Sequence, residues 1–183
     1  EIISALIPLL WSFNLPLKSG FFEKWQFVKD KFRYLVLAVI VCGLVGSLQL
    51  IYWKYVSGDW FVYSYQEEGF SWLRPHIWNC LFSYRAGWLV YTPIMAFSLI
   101  GFNQLSKQHR TLFPALLAFS LLFIYIAFAW DIWWYGGSLG QRAMVQAYPI
   151  LAFPLASFVE ASLKSRIWKY IFGAIAIICI YLN

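Results

Sequence analysis

Trp133-Trp134-Tyr135-Gly136-Gly137-Ser138-Leu139-Gly140-Gln141-Arg142 is a short, polar, glycine-rich stretch set between two long apolar runs. The chain around it is 62% hydrophobic, 22% aromatic and only 12% charged. A bilayer hides apolar helices but offers no water to irregular backbone, so polar loops gather where helices meet an interface. A soluble domain carries about 25% charged residues. At less than half that charge, and with a mean hydropathy of +0.65, the composition predicts an all-α, polytopic transmembrane helix bundle with short interfacial helices.

Outward from the loop, apolar runs approaching or reaching the roughly 17–25 residues of a spanning helix fall at residues 2–17, 34–53, 88–105, 111–130, 144–158 and 167–182. About six spans are expected, in a single transmembrane domain over residues 1–183. Pro8, Pro16, Pro93, Pro114, Pro149 and Pro154 lie in or near these runs, and membrane helices accept such kinks. The chain opens at Glu1 inside an apolar run, with no basic segment of a signal peptide before it. The expectation is therefore a piece of a longer protein, entered within a helix.

Charge orients the array. Lys18, Lys24, Lys29, Lys31, Arg33, Lys107, Arg110, Lys164, Arg166 and Lys169 fall in the first, third and fifth connections; Lys54, Arg74, Arg85 and Arg142 fall in the second and fourth. Basic residues favour the cytoplasm. Residues 54–87 and 131–143 are therefore expected on the extracytoplasmic face, as an interfacial segment and a glycine-rich loop. The net charge of +6 sits beside the spans, where it sets topology and meets anionic lipid; no nucleic acid is implied as a partner.

In residues 20–32, Phe21, Trp25, Val28 and Phe32 recur at helical spacing. This predicts a short helix that lies on the inner surface or simply anchors the next span. Residues 54–87 mix aromatic with charged side chains and are expected to fold back along the outer interface, broken near Pro75. Cys42 and Cys179 lie in apolar runs and Cys80 in a polar connection, without metal-ligand spacing, and all three read as small apolar packing residues. His76 and His109 are isolated, so no metal site is predicted and no cofactor is identified. Glu160 stands one turn from Lys164 and predicts a surface ion pair. The middle of each span lacks ionisable residues, which weighs against an ion-coupled transporter.

Polar side chains gather instead at the outer face: Asp59, Glu67, Glu68, Arg74, His76, Arg85, Asp131, Ser138 and Arg142. A site there suits an amphiphilic substrate, with its tail among helices and its phosphate on arginine. The guanidinium fork matches phosphate oxygens, and Gly136, Gly137 and Gly140 let backbone N–H groups approach an anion. Arg142 is the first candidate for substrate binding, with Arg85, Arg74 and Ser138 after it. Asp131 either orients an arginine, binds acceptor, or marks a helix end. The same loop also reads as a tight turn whose arginine snorkels to head groups, and both readings stand.

Two stretches carry a family resemblance. Phe70-Ser71-Trp72-Leu73-Arg74-Pro75, then Leu81-Phe82-Ser83-Tyr84-Arg85-Ala86-Gly87 and Tyr91-Thr92-Pro93, resemble the "LFS-x-x-x-G … x-TP" pattern of bacterial polytopic glycosyltransferases. Residues Trp134 to Arg142 resemble their "W-x-GG-S-x-G-x-R" outer loop. The chain thus resembles the C-terminal part of a GT-C-type membrane enzyme, similar to the protein-mannosyltransferase and aminoarabinose-transferase group. The resemblance implies a multi-pass protein of the bacterial inner membrane. Such an enzyme moves a sugar from a polyprenyl-phosphate carrier to an acceptor glycan, lipid or protein at the extracytoplasmic face. Its catalytic carboxylate would lie in a first large outer loop outside this chain. Alternatives are a transporter or flippase of a lipid-linked substrate and a non-catalytic membrane subunit.

Overall fold

The computed structural model describes residues 2–11, 17–63, 65 and 68–181. In chain order the helices are α1 (Leu6–Leu10), α2 (Leu17–Asp30), α3 (Phe32–Ser57), α4 (Ile77–Phe82), α5 (Trp88–Tyr91), α6 (Met95–Gln108), α7 (Phe113–Ala129), α8 (Tyr148–Leu163) and α9 (Arg166–Tyr181), with 3-10 turns at Ile2–Ala5 and Arg142–Ala147. Among the described residues the only β pairing is an isolated antiparallel bridge between Phe70 and Trp130. The all-α expectation holds. The chain divides into two compact units, Phe13–Glu68 and Glu1–Ser12 with Gly69–Asn183.

In the smaller unit, the helix expected over 20–32 is α2, which ends where Lys31 leaves helical geometry (φ −102°, ψ 12°). Helix α3 follows with 26 residues and no buried side chain, about 39 Å at a rise of about 1.5 Å per residue. It is apolar on every face, the pattern of a helix surrounded by apolar material. Gly58, at φ +82°, ends it by adopting the left-handed conformation, its N–H donating to the Lys54 carbonyl. Cation–aromatic pairs mark both ends: Lys31 lies 5.8 Å from the Tyr34 ring and Lys54 5.8 Å from the Trp60 ring.

The larger unit is organised by the seam between α6 and α8. Ser98, Gly101 and Leu105 are buried on one, and Leu151, Pro154 and Ser157 on the other. Ser98 Oγ donates to the Leu151 carbonyl at 2.6 Å, and a Cβ on Gly101 would fall 2.0 Å from the Pro154 carbonyl oxygen. Both contacts advance together along the two helices, so α6 and α8 run parallel. Small residues allow this backbone approach. Leu116, Phe119 and Phe128 of α7 complete the core with Trp88, Met144 and Cys80. Helix α1 packs on α7, and α9 on α8.

Among the described residues two helical stretches, Phe32–Ser57 and Arg142–Leu163, are long and apolar enough to cross a membrane; α7 is apolar but has 17 residues. Helices α6 and α9 have 14 and 16. The run over 88–105 is split because α5 stops at Tyr91 and Pro93 brings no N–H, so the helix restarts at Met95. Helical structure begins at Arg142 rather than at 144, and α3 continues past Lys54. Cys80, within the polar connection, is fully buried, as a small packing residue is. The helix α4 turns it into the core, where burial pushes its thiol up to about 12. The expected Glu160–Lys164 pair is present at 2.8 Å. Parts of the first and last expected spans (residues 12–16 and 182) and Glu67 lie outside the described residues.

Candidate functional site

The glycine loop is held from below and from one side. Tyr135 donates its hydroxyl to the Ala127 carbonyl at 2.7 Å, pinning the loop to the end of α7. Gln141, only 3% exposed, donates Nε2–H to the Trp133 carbonyl at 2.9 Å and closes the loop across its base. Between these ties the backbone turns sharply. Tyr135 at φ +49° and Gly136 at +74° are both left-handed, and Gly140 repeats that geometry at +64°. Tyrosine rarely adopts this conformation; its backbone N–H, donating to the Ile132 carbonyl at 2.8 Å, and its hydroxyl, donating to Ala127, hold it there.

Gly140 is buried because the chain passes over Tyr91: a Cβ there would lie 3.0 Å from Tyr91 Cβ. Gly136 and Gly137 are exposed with open space beside them. Among the described residues, no acceptor takes the backbone N–H groups of Gly136 and Gly137. Successive free amides in such a turn form an anion-binding concavity. Ser138 is half-buried, its hydroxyl 3.4 Å from the Tyr135 carbonyl.

Arg85 comes to this loop from a different connection. Its guanidinium lies 3.9 Å from the centroid of Trp134. The local sequence builds the support. Ser83 Oγ accepts the Arg85 N–H at 3.1 Å, the Gly87 N–H donates to the Ser83 carbonyl at 2.7 Å, and Tyr91 donates its hydroxyl to the Tyr84 carbonyl at 2.6 Å. Gly87 is required here, since a Cβ would fall 2.5 Å from the Ser83 carbonyl oxygen. Stacking on the indole face leaves the in-plane N–H donors of the guanidinium free for an anion. Tyr148 donates to Thr92 Oγ1 at 3.3 Å, a further tie between the same two regions.

The other candidates make different contacts. Arg142 is exposed at the start of its 3-10 turn, with its backbone N–H on the Gly140 carbonyl. Arg74 is exposed in the turn after Ser71. Among the described residues neither guanidinium makes a hydrogen bond or ion pair. Asp131 does not orient an arginine: its Oδ1 accepts from Ser71 Oγ at 2.6 Å, and its N–H donates to the Gly69 carbonyl. The isolated Phe70–Trp130 bridge explains this, because side chains alternate about extended backbone, which puts Ser71 and Asp131 on one side and Phe70 and Trp130 on the other. Phe70 stacks on Trp72 at 4.6 Å and meets Trp130 edge-on at 4.8 Å.

Sequence reasoning named Arg85 but missed Trp134 as its partner, and missed Tyr91 and the buried Gln141. No group of histidine, cysteine and carboxylate side chains among the described residues is arranged to hold a metal. Burial, and to a lesser degree the neighbouring Cys80, pushes the Tyr135 phenol up to about 12, so it serves as a neutral donor. Compared with known proteins, the chain matches no family model, no curated protein and no solved structure.

Proposed function

We propose that the chain is a multi-pass integral membrane protein with about six spans, the C-terminal portion of a glycosyltransferase that uses a polyprenyl-phosphate sugar at the extracytoplasmic face of a bacterial inner membrane. The observation that carries this reading is the meeting of Arg85 with Trp134. It joins the two stretches that carry the family resemblance, which are far apart in sequence, and brings a cation to the loop that carries the free amides of Gly136 and Gly137. The parallel course of α6 and α8 also supports the alternating topology, since both leave the same face.

In the proposed reaction an acceptor hydroxyl oxygen attacks the anomeric carbon. A new C–O bond forms as the bond to the lipid phosphate breaks, and the phosphate departs with the electron pair. The hydroxyl proton passes to the carboxylate that the resemblance places outside this chain, a step of general-base help contributing about 10²–10⁴-fold. Arg85 and Arg142 stabilise charge on the departing phosphate, and the backbone N–H groups of Gly136 and Gly137 donate to its oxygens. Asp131, occupied by Ser71, shapes the neighbouring backbone instead.

The test is transfer from a polyprenyl-phosphate sugar by the full-length protein in vesicles. Arg85→Ala and Arg142→Ala are each expected to lower turnover by roughly 10²–10³, the usual cost of one donor to a developing anion. Unchanged turnover in both variants would remove the phosphate role. Movement of intact carrier across the bilayer without sugar transfer would favour a flippase.

A further inference from the structure

We infer that the far end of the α6–α8 seam holds a second site, for the head group of an anionic phospholipid. It rests on the membrane reading above but not on the transfer chemistry. A cavity of about 220 Å³ lies there, lined by Gln104 of α6, Phe158, Ala161 and Ser162 of α8, and Trp168 of α9. Gln104 is one turn from the end of α6, Ser162 is in the last turn of α8, and Trp168 is in the first turn of α9. The glycine loop adjoins the opposite end of α8, so the two sites are separate.

The chemistry of the lining is that of a lipid head group. Gln104 and Ser162 offer polar groups to phosphate or glycerol oxygens, while Phe158 and Ala161 supply an apolar wall. Phe158 is backed by Phe97 and Phe172, with ring centroids at 5.1 and 5.6 Å. Trp168 is 57% exposed, as suits an indole with an apolar body and a wet edge.

Charge points the same way. Lys107 follows Gln104 by one helical turn, Lys164 follows Ser162 by two residues, and Arg166 and Lys169 flank Trp168; all four are exposed. Glu160 is the acid at this end of α8, and Lys164 neutralises it at 2.8 Å. Among the described residues, Lys107, Arg166 and Lys169 make no ion pair. Basic pockets between helices on the cytoplasmic side take acidic lipid head groups.

Size and surroundings select the occupant. The cavity is below the roughly 300–1,000 Å³ of sites that enclose a whole small ligand, so it takes a glycerol-phosphate fragment and not a complete glycolipid. Exposed Ile167, Ile171, Ile175 and Ile178 of α9 extend an apolar path away from Trp168 on which acyl chains lie. Free phosphate has no use for that path.

Native mass spectrometry of the full-length protein in mild detergent tests this, with phosphatidylglycerol and phosphatidylcholine as probes. One phosphatidylglycerol is expected to be retained in preference to phosphatidylcholine. Lys107→Gln with Lys169→Gln should weaken retention about thirtyfold, from two basic contacts together. Ser162→Leu, which fills the cavity, should abolish it. Because the lysines are exposed, the double variant keeps the test valid if Ser162→Leu fails to fold. Equal retention of phosphatidylcholine, undiminished retention by the lysine variant, or displacement by millimolar inorganic phosphate would overturn the site. Arg85→Ala should keep the lipid and lose transfer, and the lysine variant the reverse, so failure of one proposal is distinguishable from failure of the other.

Discussion

Gly101 and Pro154 meet backbone to backbone: a methyl group on Gly101 would lie 2.0 Å from the Pro154 carbonyl oxygen and 2.6 Å from its carbon. Neither obstacle is the end of a flexible side chain, so α6 and α8 would have to separate. Gly101→Ala is expected to cost about 1–3 kcal/mol, the usual range for overpacking, read as a lower thermal midpoint in detergent. Gly43 and Gly46 of α3 have open space at the same position. Gly43→Ala and Gly46→Ala should leave the midpoint unchanged or raise it, which makes them matched controls.

Trp134 is expected to act through Arg85. Trp134→Leu should lower turnover without changing the thermal midpoint by more than the loss of one half-buried ring, whereas Trp134→Phe keeps a π face and recovers part of the rate. An exposed cation–aromatic pair contributes about 0.5–1 kcal/mol. The double variant Arg85→Ala/Trp134→Leu should be no slower than Arg85→Ala alone, since the two act as one unit. Additive losses would separate the ring from the arginine.

The loop glycines divide by what their geometry demands. Gly140→Ala combines a left-handed backbone with a 3.0 Å contact to Tyr91 Cβ, and should destabilise most. Gly136→Ala meets only the left-handed cost, about 1–2 kcal/mol. Gly137 has neither a positive φ nor a neighbour within 4 Å, so Gly137→Ala should leave stability unchanged. Loss of transfer by Gly137→Ala at unchanged thermal midpoint would mark close approach of substrate to the backbone; full activity would favour a plain turn.

Alkaline pH should loosen the larger unit. Burial raises the Cys80 thiol from its ordinary 9.0 to about 12 and the Tyr135 phenol from 10.0 to about 12. Between the unfolded and folded values the folded chain binds more protons, so its stability falls as pH rises. The contribution is fully present below about pH 9 and is lost as pH climbs towards about 12. Thermal midpoints measured from pH 8 upward should therefore decline above about 9, and less steeply in Cys80→Ala. The same burial should leave Cys80 slow to react with maleimide until the chain unfolds.

Much of this architecture was written in local pattern. The spacing of Phe21, Trp25 and Val28 announced α2, although Phe32 opens α3, and the Glu160–Lys164 interval announced an ion pair. Relationships between distant segments were less readable. Nothing in residues 81–87 says that Arg85 will reach an indole 49 positions later, because stacking depends on where α5 and the loop are carried by the α6–α8 seam. In sequence the more visible candidate is Arg142, the loop's own arginine. Cys80 is legible as a small packing residue, but its charged and aromatic neighbours do not show that one short helix turns it inward. Thr92-Pro93 was visible, yet the run around it was continuous enough in hydropathy to pass as unbroken.

The paired ends of α3 have a consequence for where the protein can reside. Lys31 and Lys54, each held by a ring, stand about 35 Å apart along the axis at about 1.5 Å per residue. On the membrane reading proposed above, two such moorings would act as a caliper set close to the hydrocarbon core, about 30 Å on average. A thinner bilayer would force the helix to tilt, and a thicker one would draw both cations towards their head groups, each at a fraction of a kcal/mol per Å. Membrane thickness would thereby help to sort this chain among the compartments open to it.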